Sequence, residues 1–461
     1  MIFEVSNKIR VGHPSDSFYK WAYENYVLDN PEYYKKQRMG LWTGKTPQEF
    51  KLYEKIGNDL FMPYGSIHRI KETWGSDNPI YSRIPPIRSV KYGSNIKPYN
   101  YQERAIQEAI KGFHGVIVMP CGSGKTQTAL EIVSRIGGRC LWLTHTQDLL
   151  NQSFERARSV FDIPYTTYGK ITGGKVEIGT GMTFATVQTL SKLDLTQYKE
   201  AWDIVIVDEC QHCVGTPTRV MQFYKVLSNV SAKYKFGLTA TPYRSDGMEA
   251  AMFALLGDIV AQVNKSEVAH TTCPVKVEQW YTEYAPNMNV VLAGDGTLNY
   301  AALINDLTKD AERFAYVLQV IESKKNNGPM LVLGSRVEYV QKLSNSFSGR
   351  SLCLSGAGYS KAAKAERKNA LKRLNDGEID CLFATYQLAK EGLDVPNLRT
   401  VVLATPEKDE TTVTQSAGRV GRKADGKDYG TVIDIIDPFG MFLGWNKKRV
   451  KYYKKIGAEV V

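Results

Sequence analysis

Lys125 and Thr126 close a Gly122-Ser123-Gly124 turn, and further along the chain Asp208 and Glu209 stand side by side. A lysine and a hydroxyl behind closely spaced glycines are what phosphate chemistry requires. Glycines let backbone N–H groups converge on phosphate oxygens, and a helix N-terminus adds partial positive charge. Lys125 is suited to reach the β- and γ-phosphates, and the Thr126 hydroxyl to ligate Mg²⁺. The paired carboxylates complete the set: Asp208 to hold the ion through its water shell, Glu209 to orient an attacking water. The chemistry implied is cleavage of a nucleoside triphosphate.

Such residues work only if strands and helices deliver them to one place. Val116, Ile117, Val118 and Met119 form an apolar run suited to a strand buried on both faces. The run stops at Pro120, crosses the glycine turn and enters a helical pattern carrying Ala129, Leu130, Ile132 and Val133. Strand, glycine turn and helix is the context a phosphate-binding loop needs. The general pattern wants glycine where Met119 stands, which is a departure. Asp203 to Val207 reads as a second buried strand, setting Asp208-Glu209 at the carboxyl edge of a sheet, where ligands bind in open α/β folds.

From about residue 93, β and α patterns alternate, which predicts parallel sheets covered by helices. Strands are expected at Arg139–Thr144, Met182–Ala185, Lys235–Thr241, Cys273–Tyr284, Met330–Leu333, Leu352–Leu354, Asp380–Ala384, Thr400–Ala404 and Val432–Ile436. Helices are expected from His145 and over Asp306–Lys324 and Lys361–Asn375, with a loop at Met288–Asn299. Residues 1–92 differ: Phe18, Tyr19, Trp21, Tyr23, Tyr26, Tyr33, Tyr34 and Trp42 mix with Lys35, Lys36, Arg38 and Lys45. This predicts a small mixed α+β accessory domain whose aromatics either stack on nucleic acid or fill its own core. Ser82–Lys97 reads as a linker. The expected division is 1–92, 93–262 and 263–461.

The 461 residues, 43% of them hydrophobic, suffice for two or three cored domains and exclude a disordered chain. A net charge of +11 suits a polyanionic partner. Seven scattered cysteines suggest no disulfide framework and fit a reducing cytosol. Cys210 and Cys213 have half-site spacing, but no second Cys/His pair lies at finger spacing, so a zinc site is not expected. No signal-peptide core or membrane-length run is seen, so no membrane partner is expected. The Lys447–Lys455 tail, with two tyrosines, is either a solvated helix end or a phosphate-backbone contact.

Taken together the motifs of residues 95–440 resemble the superfamily 2 helicases and translocases. Tyr101-Gln102 resembles the adenine-reading Q motif, and Gly122-Ser123-Gly124-Lys125-Thr126 motif I. Thr146 to Gln152 resembles motif Ia, with Gly173-Gly174 and Thr186/Gln188 as further strand-contacting elements. Asp208-Glu209-Cys210-Gln211 resembles the D-E-x-D/H box and Thr239-Ala240-Thr241 motif III. Ser335-Arg336 resembles motif IV, Thr385 with Glu391-Gly392-Leu393-Asp394 motif V, and Gln415-x-x-Gly418-Arg419-x-x-Arg422 motif VI. Gln211 at the fourth box position is a departure, expected to hydrogen-bond Thr239 or Gln415.

The resemblance implies two RecA-like lobes behind the accessory domain, with ATP and Mg²⁺ as cofactors. It assigns nucleotide binding to Gln102, Gly122, Ser123, Gly124, Lys125, Thr126, Gly392 and Asp394, and the metal to Thr126 and Asp208. Lys125, Asp208, Glu209, Gln415, Arg419 and Arg422 take the catalytic roles, the two arginines as fingers supplied in cis. Nucleic-acid contacts fall to Thr146, Gln147, Gly173, Gly174, Thr186, Gln188, Ser335, Arg336 and Thr385. The box is not D-E-A-D, and Gln415-Ser416 opens motif VI; Gly237–Gly247 is similar to the DNA-acting XPB- and UvsW-type branch. This implies a DNA-dependent ATPase that unwinds or branch-migrates forked and junction DNA, with single-stranded, forked or junction DNA as its partner, similar to phage-encoded branch-migration helicases. The alternatives are an RNA helicase and an ATP-switched clamp. A monomer in bacterial or phage-infected host cytoplasm is expected, working in DNA replication, recombination or repair, with replication or recombination proteins as partners.

Overall fold

The computed structural model describes residues 1–120, 122–214, 216–243, 247–268, 272–354, 361–387 and 395–461. By compactness the chain divides into two units, Met1–Pro120 with Gly124–Asn264, and Cys121–Ser123 with Lys265–Val461.

The first unit begins with a five-stranded sheet in the order Glu54–Ile56, Asp59–Pro63, Lys8–Gly12, Ile2–Val5, Ile80–Ser82. The last pair is parallel and the others are antiparallel. Helices Asp16–Tyr26 and Ile67–Trp74 supply core residues Phe18, Tyr26 and Ile70, which join Phe3, Leu60 and Met62 of the sheet. Phe18 packs on Trp21 and Trp74 at 5.3 and 5.4 Å between ring centroids, so these aromatics fill a core. Tyr23 and Trp42 are 49% and 88% exposed, and they alone of the tryptophans and tyrosines quoted above stay at the surface.

The second sheet of this unit has eight strands: Lys175–Val176, Tyr168–Thr172, Met182–Thr186, Cys140–Thr144, Ile204–Val207, Tyr234–Thr239, His114–Val118 and Ile259–Gln262. All neighbours are parallel except the first two. Five of the strands are buried along their whole length, which explains why apolar residues fill most of their positions. The accessory sheet docks here through Tyr64, whose hydroxyl donates to Lys233 O at 2.9 Å, and through Arg69 on Asp258 at 2.6 Å. Gly65 permits this approach, because a Cβ there would lie 2.5 Å from Gly257 N. Ser82–Lys97 forms no regular element after its first residue, yet it is a strap: Tyr92 Oη donates to Gly138 O and Gly181 O, and Arg88 pairs with Asp203 at 3.0 Å.

The second unit holds a seven-stranded parallel sheet: Ser351–Leu354, Cys381–Thr385, Met330–Gly334, Thr400–Leu403, Gly430–Ile436, Val275–Tyr281 and Glu459–Val460. The helix expected over Asp306–Lys324 is two, Tyr300–Lys309 and Ala311–Ser323, because the Asp310 carboxylate accepts from Arg313 N and starts the second afresh. The expected loop at Met288–Asn299 contains a short helix, Met288–Val291, capped by Asn287. Arg313 and Asp437 form a fully buried pair, 2.6 Å from Nε to Oδ1.

Candidate functional site

The His114–Val118 strand leads into the glycine turn, where Gly122 and Gly124 have φ of +81° and +80°. That left-handed backbone favours glycine and turns the chain into the Lys125–Ile136 helix, with Gly124 as its N-cap. A Cβ on Gly124 would lie 2.5 Å from Gln102 Nε2. Gln102 is buried, and its Oε1 accepts from Tyr99 N at 3.0 Å, so the side chain both caps its own helix and flanks the loop. The sequence signal for Gln102 was its family position; the packing on Gly124 was not readable from it.

Asp208 and Glu209 leave the end of the Ile204–Val207 strand, which is two strands away from the loop strand. Between them runs Tyr234–Thr239, whose last residue lies opposite Val118 and accepts from Met119 N through its backbone oxygen at 3.0 Å. Asp208 is 5% exposed, and Ser153 Oγ donates to its Oδ2 at 3.2 Å. Burial, then the neighbouring Glu209 charge, push its carboxyl up to about 7, against the pull of Lys125 and Ser153. Cation binding would reverse that balance, since it supplies the charge that water no longer does. Glu209 lies 3.9 Å from Lys125 Nζ, and its Oε2 accepts from Gln211 Nε2 at 2.7 Å. Its φ of +49° is unusual for a residue with a Cβ. Sequence reasoning offered Thr239 or Gln415 as partners of the Gln211 amide; the bond from its nitrogen to Glu209 is one that reading did not name. Ser153 and the left-handed Glu209 had no sequence signal.

Most strand-contact candidates of the first unit share one sheet edge. Thr146 caps the Gln147–Val160 helix after the Cys140–Thr144 strand, and Thr186 caps Val187–Leu190 in the neighbouring register. Gln147 Oε1 accepts from Thr172 Oγ1 at 2.8 Å, and Gln188 Nε2 donates to His145 O at 3.2 Å. Gly173 and Gly174 form the left-handed turn that follows Thr172. In the second unit Ser335 and Arg336 follow Gly334, which is paired with Thr385. Arg336 Nε donates to Asn305 Oδ1 at 2.8 Å. Gln415 and Arg419 lie on the Glu410–Val420 helix, capped by Asp409, and Arg422 follows it. Gly392 and Asp394 lie outside the described residues. Among the described residues no cluster of three His, Cys, Asp or Glu could hold a metal, and no helix is long and apolar enough to cross a membrane.

The lysine of a phosphate loop and a paired acid box thus lie in the first unit, and two arginines at helicase spacing in the second. Residues 95–244 match the family profile of the type III restriction enzyme res subunit, and residues 312–424 that of the helicase conserved C-terminal domain. The chain belongs to the superfamily 2 helicases. Its relatives place it in the XPB- and UvsW-like branch. The DNA 3'-5' translocase XPB2 of Sulfurisphaera tokodaii is 24% identical over 366 residues, 71% of this chain and 79% of that protein. The ATP-dependent DNA helicase uvsW of Enterobacteria phage T4 is 23% identical, covering 75% of this chain and 70% of that protein. A protein of Acanthamoeba polyphaga mimivirus named provisionally as an ATP-dependent RNA helicase is 26% identical, covering 88% and 76%. Among solved structures, Saccharomyces cerevisiae Dbp5 bound to RNA and ADP BeF3 matches at TM-score 0.58 and 17% identity, covering 79% of this chain and 90% of that one. That likeness is one of fold, two RecA-like parallel-sheet domains. This helicase is therefore an ATP-hydrolysing enzyme that acts on nucleic acid.

Proposed function

We propose that this helicase is a DNA-dependent ATPase that unwinds or branch-migrates forked and four-way DNA. The observation that carries the reading is the approach of Lys125 to within 3.9 Å of Glu209, beside a buried Asp208, on the sheet edge that also gathers Thr146, Gln147, Thr186 and Gln188. The residues fit ATP with a divalent ion: left-handed glycines leave room for phosphates, and a buried carboxylate seeks a cation. Thr126 and Asp208 would hold Mg²⁺, which neutralises charge between the β- and γ-phosphates. Lys125 binds the phosphates, Glu209 orients the water, Gln102 reads adenine, and Gly122, Ser123 and Gly124 present backbone N–H groups. Gly392 and Asp394 complete the nucleotide set by family position.

Arg419 and Arg422 belong to one unit and Lys125 to the other, so hydrolysis by these groups requires the two units to meet at one phosphate. Gln415 links that closure to the box. A strand held by Thr146, Gln147, Gly173, Gly174, Thr186 and Gln188 on one side and Ser335, Arg336 and Thr385 on the other would then be stepped as the units open and close. The net charge of +11 suits a nucleic acid of either kind, and DNA rather than RNA is supported by the translocase and phage relatives and by Gln415-Ser416. Residues 1–92 serve as a DNA-binding domain ahead of the lobes 93–262 and 263–461, with exposed Tyr23 and Trp42 as its stacking groups. The setting is cytoplasm of a bacterium or infected host, the form a monomer, and the pathway replication, recombination or repair.

The mimivirus relative favours the RNA helicase as the second reading. ATPase and strand-separation assays over single-stranded, forked, four-way and RNA substrates decide. DNA-stimulated turnover with fork or junction unwinding is expected, abolished by Lys125→Ala and Glu209→Gln while DNA binding persists. Stimulation by RNA alone, turnover without strand movement, or full ATPase in either variant overturns the reading.

A further inference from the structure

His145 directly precedes Thr146, and its carbonyl accepts from Gln188, so it is joined to two strand-contact candidates. His212 lies in the 3-10 segment Cys210–Val214, one residue past the acid box. The two imidazoles pack face to face but tilted, at 4.3 Å between centroids and 32° between planes. His145 Nδ1 is buried without a hydrogen-bond partner, so ring packing rather than a hydrogen bond holds this nitrogen's side of the ring. Burial, with His212 and Arg219 adding to it, pushes the His145 imidazole down to about 2, so the ring is neutral at working pH.

On the other side His212 is tied to the attacking end of the site. Its N–H donates to Glu209 O at 3.0 Å, and its carbonyl accepts from Arg219 Nη1 at 3.4 Å. The turn that carries His212 therefore braces Glu209 in its left-handed backbone, a conformation unfavourable for a residue with a Cβ. In this arrangement the Glu209 carboxylate is engaged by Lys125 and Gln211, so a shift of the turn that carries it would change where it aims.

We infer that the His145–His212 ring contact is the positioning contact through which a strand held at Thr146 and Gln188 moves the Glu209 turn, making ATP hydrolysis depend on nucleic acid. The inference rests on the reading of the protein as a nucleic-acid-stimulated ATPase. Neither histidine touches phosphate; each acts through its neighbour. The ring contact offers a tertiary route from strand to catalytic glutamate that runs beside the box and not through the nucleotide.

The test measures ATPase with and without a saturating single-stranded oligonucleotide for wild type, His145→Ala, His212→Ala, His212→Phe and the double alanine variant. Losing the ring contact is expected to lower the stimulated-to-basal ratio about five- to tenfold. Basal turnover and oligonucleotide affinity stay within about twofold, well below that coupling range. His212→Phe, which keeps a ring, restores the ratio, and the double variant is no worse than either single one. A wild-type ratio in both alanine variants overturns the inference, as does an equal fall in basal and stimulated rates or additive losses in the double variant. Wild-type enzyme that no nucleic acid stimulates would instead overturn the functional reading, and this inference with it.

Discussion

The helix Gly440–Lys455 carries six basic residues and no acid. Two are neutralised: Arg449 is buried on Asp434 at 2.9 Å, and Lys455 pairs with Glu410 at 2.7 Å. Lys447, Lys451 and Lys454 are exposed at i, i+4 and i+7, and with Tyr281 and Leu443 they line a groove of about 640 Å³. Like charges at this spacing destabilise a helix by a few tenths of a kcal/mol each, so the face runs against the helix's own stability unless a polyanion meets it. If each lysine neutralises one duplex phosphate, replacing all three by alanine removes about 2.7 from the slope of log affinity against log salt. Between 50 and 200 mM salt, the wild type should then lose roughly 40-fold more affinity than the variant. Alanine preserves helix propensity, so the fold is not at issue. Fluorescence anisotropy of a labelled duplex over that salt range checks this. Parallel lines for the two proteins would show that the face is merely solvated, and would refute the reasoning.

Three further expectations follow from single sites. Gly124→Ala places a Cβ 2.5 Å from Gln102 Nε2 at a φ of +80°, costing about 1–2 kcal/mol. Nucleotide affinity should fall about tenfold in a fluorescent-nucleotide titration, and wild-type affinity would mean the loop is not the cradle. Arg313→Met leaves Asp437 buried with Thr282 and without its cation, an expected loss of about 3–5 kcal/mol in urea unfolding. Adding Asp437→Leu should recover most of it, and a loss below about 1 kcal/mol would contradict the pairing. Lys235 is fully buried, donates to Leu227 O at 2.9 Å, and is pushed down to about 7 by burial. Between that value and its ordinary one the unfolded chain binds more protons, so stability rises with pH by at most about 1.4 kcal/mol per unit. Urea midpoints from pH 7 to 9 should rise in wild type and flatten in Lys235→Met; equal slopes would remove the assignment.

Much of the site was legible because phosphate chemistry is local. The apolar run before Pro120, the glycines and the following helical spacing each constrain their own few residues, and the structure gives strand, left-handed turn and helix there. The acids after Val207 were legible for the same reason: four buried apolar residues can only be an inner strand, and its end is where charge emerges. The break at Asp310 was written in the sequence as a cap, though the helical periodicity running past it concealed it. What sequence left open was every choice between two environments for one residue type. Phe18 and Tyr26 are core while Trp42 is surface, and nothing in their spacing separates them. Ser82–Lys97 looked like free linker until Tyr92 was seen bonded to Gly138 and Gly181. The approach of Ser153 to Asp208, of Lys125 to Glu209 and of His145 to His212 depends on the register of parallel strands far apart in sequence. The chain's local order determined which chemistry was available; tertiary packing decided which side chains hold the glutamate, because only it sets distances between segments that never meet along the backbone.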